Sequence, residues 1–438
     1  MSRPSSTSQS LTEPPVYLAA SAVNNLVRTL PAGTAYFIGI VFITMFTGQL
    51  VHHQGSLARA AFPYVVHLRW GWHRVERAME RGKVALDALF DRALTWCLES
   101  LPVEPVCLGS ERRTVHAIDS STVARLRANP QRCALLGKGY CHHAQRAVQA
   151  NIVAVLTTVV LIGGVRVGLV RRTRCGTTCQ EAVANIFADL PESAEKRLFS
   201  VDAGIATIEQ FRAATEREAL VGRLRKNVTL RRAPYPNRPG KRGRPARHGP
   251  VLHPGAKRPE GRADEDSTIR IADREVRVRR WRNLHFRETP QTAIDVVRVD
   301  DPAFKRPLVI GTTAHELTTA EVRIAYGHRW PVETNFYVAQ GTCAMEMPRA
   351  WNETAVERRI SLALLSGSLL KAIAAACGSL PMGPWDVKAV ASAGRLANHL
   401  ALHSANFVAL ALTGLAPRTY RKISEAKETS ELQLPLAA

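Results

Sequence analysis

The chain has 438 residues, 46% of them hydrophobic, enough for two or three domains with substantial cores and unlike a disordered protein. Its 59 Lys and Arg against 37 Asp and Glu leave a formal charge of +22, so nucleic acid is the expected partner. The excess is concentrated: residues 220–290 hold twenty Lys/Arg and seven Asp/Glu, a clustering that an Arg-rich codon bias does not explain.

Residues 1–15 are polar and rich in Ser, Thr and Pro, without the basic-then-apolar order of a secretory signal, and read as a disordered N-terminus. The apolar run Ala35 to Thr47 stops at Gly48, short of the roughly twenty residues a membrane span needs, so it reads as a buried helix. Residues 16–108 read as a helical domain suited to binding DNA ends, with plain packing as the competing use. Apolar residues recur three and four apart in Val65–Trp70 and Ala78–Phe90. Pro102, Pro105 and Gly109 mark its end. The eight cysteines are scattered without a CxxC pair. Cys175 and Cys179, with Cys141-His142-His143 upstream, come nearest to zinc spacing, but reduced thiols in a cytoplasmic, nucleoid-associated protein are the better reading.

After this boundary the texture changes. Thr114–Asp119 reads as a short strand ending in an aspartate, with Ser120-Ser121-Thr122 as the following turn. The β-branched stretch 147–170 reads as two strands turning at Gly163-Gly164. A helix from Gln180 to Leu190, a strand ending at Asp202, a helix from Ile208 to Glu218 and a strand from Ala219 to Arg225 complete the first part of an α/β core, residues 109–230. The 130 residues between Asp202 and Glu333 exceed one strand and one connection, so 231–306 is expected to be a basic, β-rich insertion. It opens with the Pro- and Gly-rich segment Pro234–Pro259, where Arg244 and His248 suit phosphate contacts. Strand-like alternation follows in Thr268–Trp281 and Ala293–Val299.

The second part of the core, 307–376, carries Tyr326-Gly-His-Arg329-Trp-Pro-Val-Glu333. Spacings of three and four place a phenol, a guanidinium and a carboxylate on one helical face. Pro331 conditions this, because an interior proline removes a hydrogen bond and crowds the carbonyl four residues back. The helix is therefore expected to kink or restart at Trp330-Pro331, with Glu333 and Gln340 securely on one face. Residues 377–438 read as Ala/Leu-rich helices followed by a loose tail.

The order of strands and helices resembles the ribonuclease-H-like α/β core. With Asp119 in Ala-Ile-Asp-Ser-Ser-Thr, Asp202 in Val-Asp-Ala-Gly and the Tyr326/Arg329/Glu333 helix, the chain resembles bacterial insertion-sequence transposases of the DDE type. The resemblance is to the branch whose signature is tyrosine, two residues, arginine, three residues, glutamate, six residues, lysine. It runs from about residue 20 to 375 and includes Arg223–Asn227, Lys241–Gly249 and Leu308–Thr313. One departure is Gln340, which stands where that signature has lysine and brings no charge to the DNA.

The resemblance implies a ribonuclease-H-like core with a β-rich insertion, flanked by helical regions. It implies that Asp119, Asp202 and Glu333 hold two Mg²⁺ ions, for which Mn²⁺ can substitute, with Asp119 bridging them. Arg329 would contact the phosphate beside the scissile bond, supported by Tyr326, with Gln340 near the same DNA. Trp281 is the candidate to stack a flipped base, against simple packing. Partners would be terminal inverted repeats and target DNA, handled by a homodimer in the synaptic complex, with no membrane. An impaired copy acting as a DNA-binding protein or repressor is the alternative, and a nuclease or resolvase without strand transfer is a third.

Overall fold

The computed structural model describes residues 14–415, apart from 69, 127, 129–132, 142–143, 235–245, 257–260, 272, 351, 382–385 and 387–389. The expected disordered N-terminus (up to residue 13), the loose tail and Arg244 lie outside the described residues.

Six helices open the chain: α1 (Pro15–Val27), α2 (Ala32–Phe46), α3 (Gln49–His52), α4 (Leu57–Val65), α5 (Gly71–Arg81) and α6 (Leu86–Ser100). As expected, the apolar run is a core helix, buried continuously from Ala35 to Phe46 in α2. The α/β part follows with β1 (Val103–Pro105), β2 (Cys107–Leu108), β3 (Arg113–Ala124), β4 (Gly137–Cys141), β5 (Arg146–Ile162) and β6 (Val165–Gly176). Then come α7 (Cys179–Ala188), β7 (Arg197–Val201), α8 (Ile208–Ala213), β8 (Glu218–Arg223), β9 (Leu230–Arg231), β10 (Val251–Leu252), β11 (Glu265–Ile271), β12 (Arg274–Leu284), β13 (Ile294–Asp300) and β14 (Leu308–Thr312). The chain closes with α9 (Thr319–Gly327), α10 (Trp330–Gly341), α11 (Glu353–Cys377), α12 (Ala393–Leu402) and α13 (Ser404–Ala411).

The hairpin of β5 and β6 turns at Gly163-Gly164, as expected from the sequence. Both glycines have positive φ, 55° and 77°, the combination a tight two-residue hairpin requires. β3 differs from its expected form. It does not turn at Ser120-Ser121-Thr122 but continues to Ala124, because β5 is long enough to pair with it down to Ala124–Ala150. α8 stops at Ala213, earlier than expected, where Thr215 closes a turn: its hydroxyl accepts from the Glu218 amide and its amide donates to the Glu218 carbonyl.

Twelve strands form one mixed sheet, ordered β1-β5-β3-β7-β8-β14-β13-β12-β11, with β2 on β3 and both β4 and β6 on β5. β3, β7 and β8 run parallel, while β5 is antiparallel to β3 and to β6. The strands of the 231–306 stretch are continuous with this sheet, since β14 pairs with β8 on one side and β13 on the other. Alternation within the strands covers both faces. Val115, Ala117, Leu198, Ala219 and Val221 join a core shared with the first six helices and α10–α13, so the helices from both ends of the chain form one layer. Ile118, Phe199, Val201 and Leu220 point into a second core under α7 and α8. α11 is long and apolar enough to cross a membrane, but most of its apolar stretch is buried inside the protein.

Much of the local arginine excess is neutralised within the sheet. Arg232, Arg274, Arg277, Arg279, Arg280 and Arg282 each pair with an Asp or Glu on a neighbouring segment. The Arg280–Asp295 pair, 2.5 Å apart, is fully buried, and Arg280 also donates to the Leu317 and His315 carbonyls.

Candidate active site: three carboxylates around one guanidinium

Strand register brings the two aspartates together. The parallel ladder of β3 and β7 ends on the pair Ile118–Val201, so the next residue on each strand is an aspartate, Asp119 and Asp202. On its other edge Asp119 is still held by β5, opposite Val155, so its backbone is fixed although it lies mid-strand. One more strand across, β7–β8 pairing ends at Val201–Gly222, which puts the exposed Arg223 at the same edge, followed by the exposed Arg225 and Lys226.

The helical segment behaves as its proline dictates. α9 ends at Gly327, and α10 begins at Trp330 with Pro331 in its first turn, where a missing amide costs nothing. His328 and Arg329 keep near-helical backbone angles across the break, so the face survives it. The Tyr326 hydroxyl donates to Asp202 at 3.1 Å. Arg329 donates to Asp119 at 2.6 Å and pairs through its other amino nitrogen with Glu333, four residues on. Its guanidinium carbon lies 5.7 Å from the centre of the Tyr326 ring.

Several contacts fix Glu333 from behind. Asn335 donates to the Gly168 carbonyl of β6 at 2.7 Å. Lys371, on α11, donates to the Pro331 carbonyl at 3.2 Å, to Asn335 Oδ1 at 3.0 Å and to the Thr334 hydroxyl. The turn that presents Glu333 is thus clamped by an ammonium whose partners are all neutral oxygens, and burial pushes that ammonium's pKa down to about 8.

The electrostatics show crowded negative charge. Burial pushes the Asp119 carboxyl up. Arg329 and the Ser120 amide, which donates at 2.8 Å, pull it back, but Asp202 and Glu333 add to the rise and leave it above the ordinary carboxylate range. Burial opposes the charge on Arg329, yet Asp119, Tyr326 and Glu333 outweigh it and hold the guanidinium above its usual pKa. The Tyr326 phenol is raised by burial and by Asp202.

Among the described residues, no group of three or more His, Cys, Asp or Glu is drawn together as a metal cage. Arg329 stands between Asp119 and Glu333 and takes an oxygen of each. The donor set is nevertheless all carboxylate oxygen, the type a hard divalent cation takes. The mutual repulsion felt at Asp119 is what such an ion would relieve. By donor type Asp119, Asp202 and Glu333 suit a hard divalent cation, but the space between Asp119 and Glu333 is taken by the Arg329 guanidinium.

The remaining expected site residues separate. Gln340 is half-buried on α10, and no hydrogen bond among the described residues joins it to the cluster. His248 has its Nδ1 3.0 Å from Nε2 of the buried His285, with the rings stacked, so that nitrogen is turned inward. The base-stacking expectation for Trp281 is corrected: at 1% exposure it fills the second core and offers a base no ring face. The exposed aromatics near Glu333 are instead Trp330, 63% exposed, and Tyr337, 78% exposed, three before and four after it on the same side of α10. Lys371 was missed by the sequence reading. Its signal was a single charge inside the otherwise apolar α11 stretch. No protein-family model and no curated protein matches the chain.

Proposed function

We propose that this chain is a DNA transposase that cuts and joins DNA ends with divalent metal held by Asp119, Asp202 and Glu333. The observation that carries this reading is that strand register sets Asp119 beside Asp202 at the ends of β3 and β7, while Arg329 joins Asp119 to Glu333. The strand order β6-β5-β3-β7-β8, with only the second strand in sequence reversed, supports a ribonuclease-H-like core. The exposed basic run Arg223, Arg225 and Lys226 at the same sheet edge, without an ion pair among the described residues, supports a polyanionic substrate.

In this reading Asp119, Asp202 and Glu333 would hold divalent metal, which would supply activation of the attacking oxygen and charge stabilisation at the leaving one. Arg329 exchanges its carboxylate partners for two oxygens of the phosphate beside the scissile bond, a bidentate match that lysine would not give. Tyr326 keeps Asp202 oriented through its hydroxyl. Trp330, exposed beside Glu333, meets the bases next to the cut. The protein works in the bacterial cytoplasm, as a homodimer that holds two element ends together. Gln340 favours a second reading, a copy that binds element ends without cutting them.

A plasmid carrying the DNA that flanks the gene separates these readings. With Mg²⁺ the wild type is expected to cut at short inverted repeats and join the ends to a target, and Asp202→Asn to do neither. Binding to the repeats without metal-dependent cutting would support the non-cutting reading and sink the transposase.

A further inference from the structure

Beyond the carboxylates, β3 and α10 both run on into one large groove. Its walls are Ala124, Arg125, Leu126 and Ala128 at the end of β3, and Glu346 to Ala350 in the connection from α10 to α11, with Gln54 closing one side; its volume is about 850 Å³. Two arginines dominate its polar surface. Arg125 donates one amino nitrogen to the Ala350 carbonyl at 2.7 Å, while its other amino nitrogen is buried without a partner. Arg349 is exposed and donates to Gln54 at 3.2 Å. Behind the wall, buried Arg359 donates to the Gly55 carbonyl at 3.3 Å, and its Nε also lacks a partner. None of the three forms an ion pair among the described residues, although Glu346 lines the groove and Glu76 and Glu80 act on Arg359 at longer range.

The wall is rigid where it matters. Gly55 has φ of +76°, and a side chain there would collide with the Met347 carbonyl oxygen, so the turn before α4 and the segment after α10 are locked together. The rest of the lining is aliphatic, with Leu126 64% and Met347 40% exposed.

We infer that this groove seats the phosphodiester backbone of duplex DNA on the flank of the cut site, with Arg125 and Arg349 on phosphates and Leu126 and Met347 against deoxyribose. The inference rests on the transposase reading for which flank is held, but not for the groove's chemistry. Arg349, exposed and without a carboxylate partner among the described residues, suits an anion at the groove, with Arg125 beside it in the lining. From Asp119 to Ala124 the strand advances roughly 17 Å, which corresponds to about five base pairs along a duplex. The backbone leaving the carboxylates therefore reaches the groove within half a helical turn.

The test uses the full chain and short duplex DNA, with binding followed by fluorescence anisotropy across a salt series. Arg349→Ala is exposed and should leave the melting temperature unchanged. It should weaken binding about five- to tenfold at physiological salt and lower the salt slope by about one. A photoreactive benzophenone residue at Leu126 should cross-link to the duplex. An unchanged salt slope in Arg349→Ala together with no cross-link from position 126 overturns the groove, even if Mg²⁺-dependent cutting is intact. Conversely, weakened binding and a cross-link in a protein that never cuts DNA keep the groove and remove the transposase reading. A wild-type chain that binds no duplex removes both.

Discussion

Replacing Arg329 with alanine removes the cation between Asp119 and Glu333, and its consequences can be worked out in size and sign. The guanidinium is 13% exposed, and its partners Asp119 and Glu333 are 17% and 33% exposed. Deleting one partner of a buried pair costs about 3–5 kcal/mol, and the partial exposure of Glu333 places this case near the lower end, about 3 kcal/mol. Asp119 would lose its main lowering influence, while burial, Asp202 and Glu333 would still push it up. A carboxyl whose folded pKa is raised binds its proton more tightly in the native state. The penalty is therefore full above the raised pKa and shrinks as pH falls through it toward the unfolded value. A divalent cation can stand in for the lost guanidinium, and a site-bound ion at a hundredfold excess over its Kd adds about 2.7 kcal/mol. Urea unfolding at pH 5 and pH 8, with and without Mg²⁺, reads all three effects. A variant that unfolds like wild type at both pH values, or gains nothing from Mg²⁺, refutes the reasoning.

Three other substitutions probe the scaffold. Arg280→Leu takes the guanidinium from the buried Asp295, which keeps the His315 ring and the Asn283 amide, and should cost about 3 kcal/mol in urea unfolding; a change within ordinary surface scatter would mean that the pair does not anchor β12 to β13. Trp281→Ala should cost about 3–5 kcal/mol, while Trp281→Phe keeps DNA cleavage; loss of cleavage in the phenylalanine variant with unchanged melting would return a base-stacking role to this residue. Lys371 has its folded pKa pushed down to about 8 from an ordinary value of 10.5, so the native state binds fewer protons than the unfolded one across that window. Relative to Lys371→Met, wild-type stability should rise by about 3 kcal/mol between pH 8 and pH 10.5. A flat difference across that range would show that the ammonium is solvated.

The sequence made the local signals legible and left the long-range ones hidden. β-branched runs and the Gly163-Gly164 turn announced β5 and β6, and Pro331 announced the break between α9 and α10. The length of β3 was not readable from Ser120-Ser121-Thr122, because polar turn formers continue a strand when a long partner such as β5 supplies its hydrogen bonds. Charge clustering pointed to nucleic acid but did not reveal that Arg277, Arg279, Arg280 and Arg282 answer acids across the sheet. Trp281 looked available because alternation says which residues share a face, not whether that face is covered. The meeting of Asp119 with Asp202 depends on parallel register, and the clamp of Lys371 on the Glu333 turn joins segments far apart in sequence. The first leaves no local trace, and the second shows only as a lone charge in the apolar stretch of α11.

Single-turnover cleavage of an end-labelled duplex carrying the flanking DNA, in Mg²⁺, tests the central claim most directly when wild type is compared with Asp119→Asn, Asp202→Asn and Glu333→Gln. If the three carboxylates form one metal-holding unit, each substitution slows cleavage by about a thousandfold, equivalent to about 4 kcal/mol of transition-state stabilisation, while DNA affinity is retained. Cleavage at the wild-type rate in any of the three variants, or cleavage that persists with the metal chelated, would contradict the account.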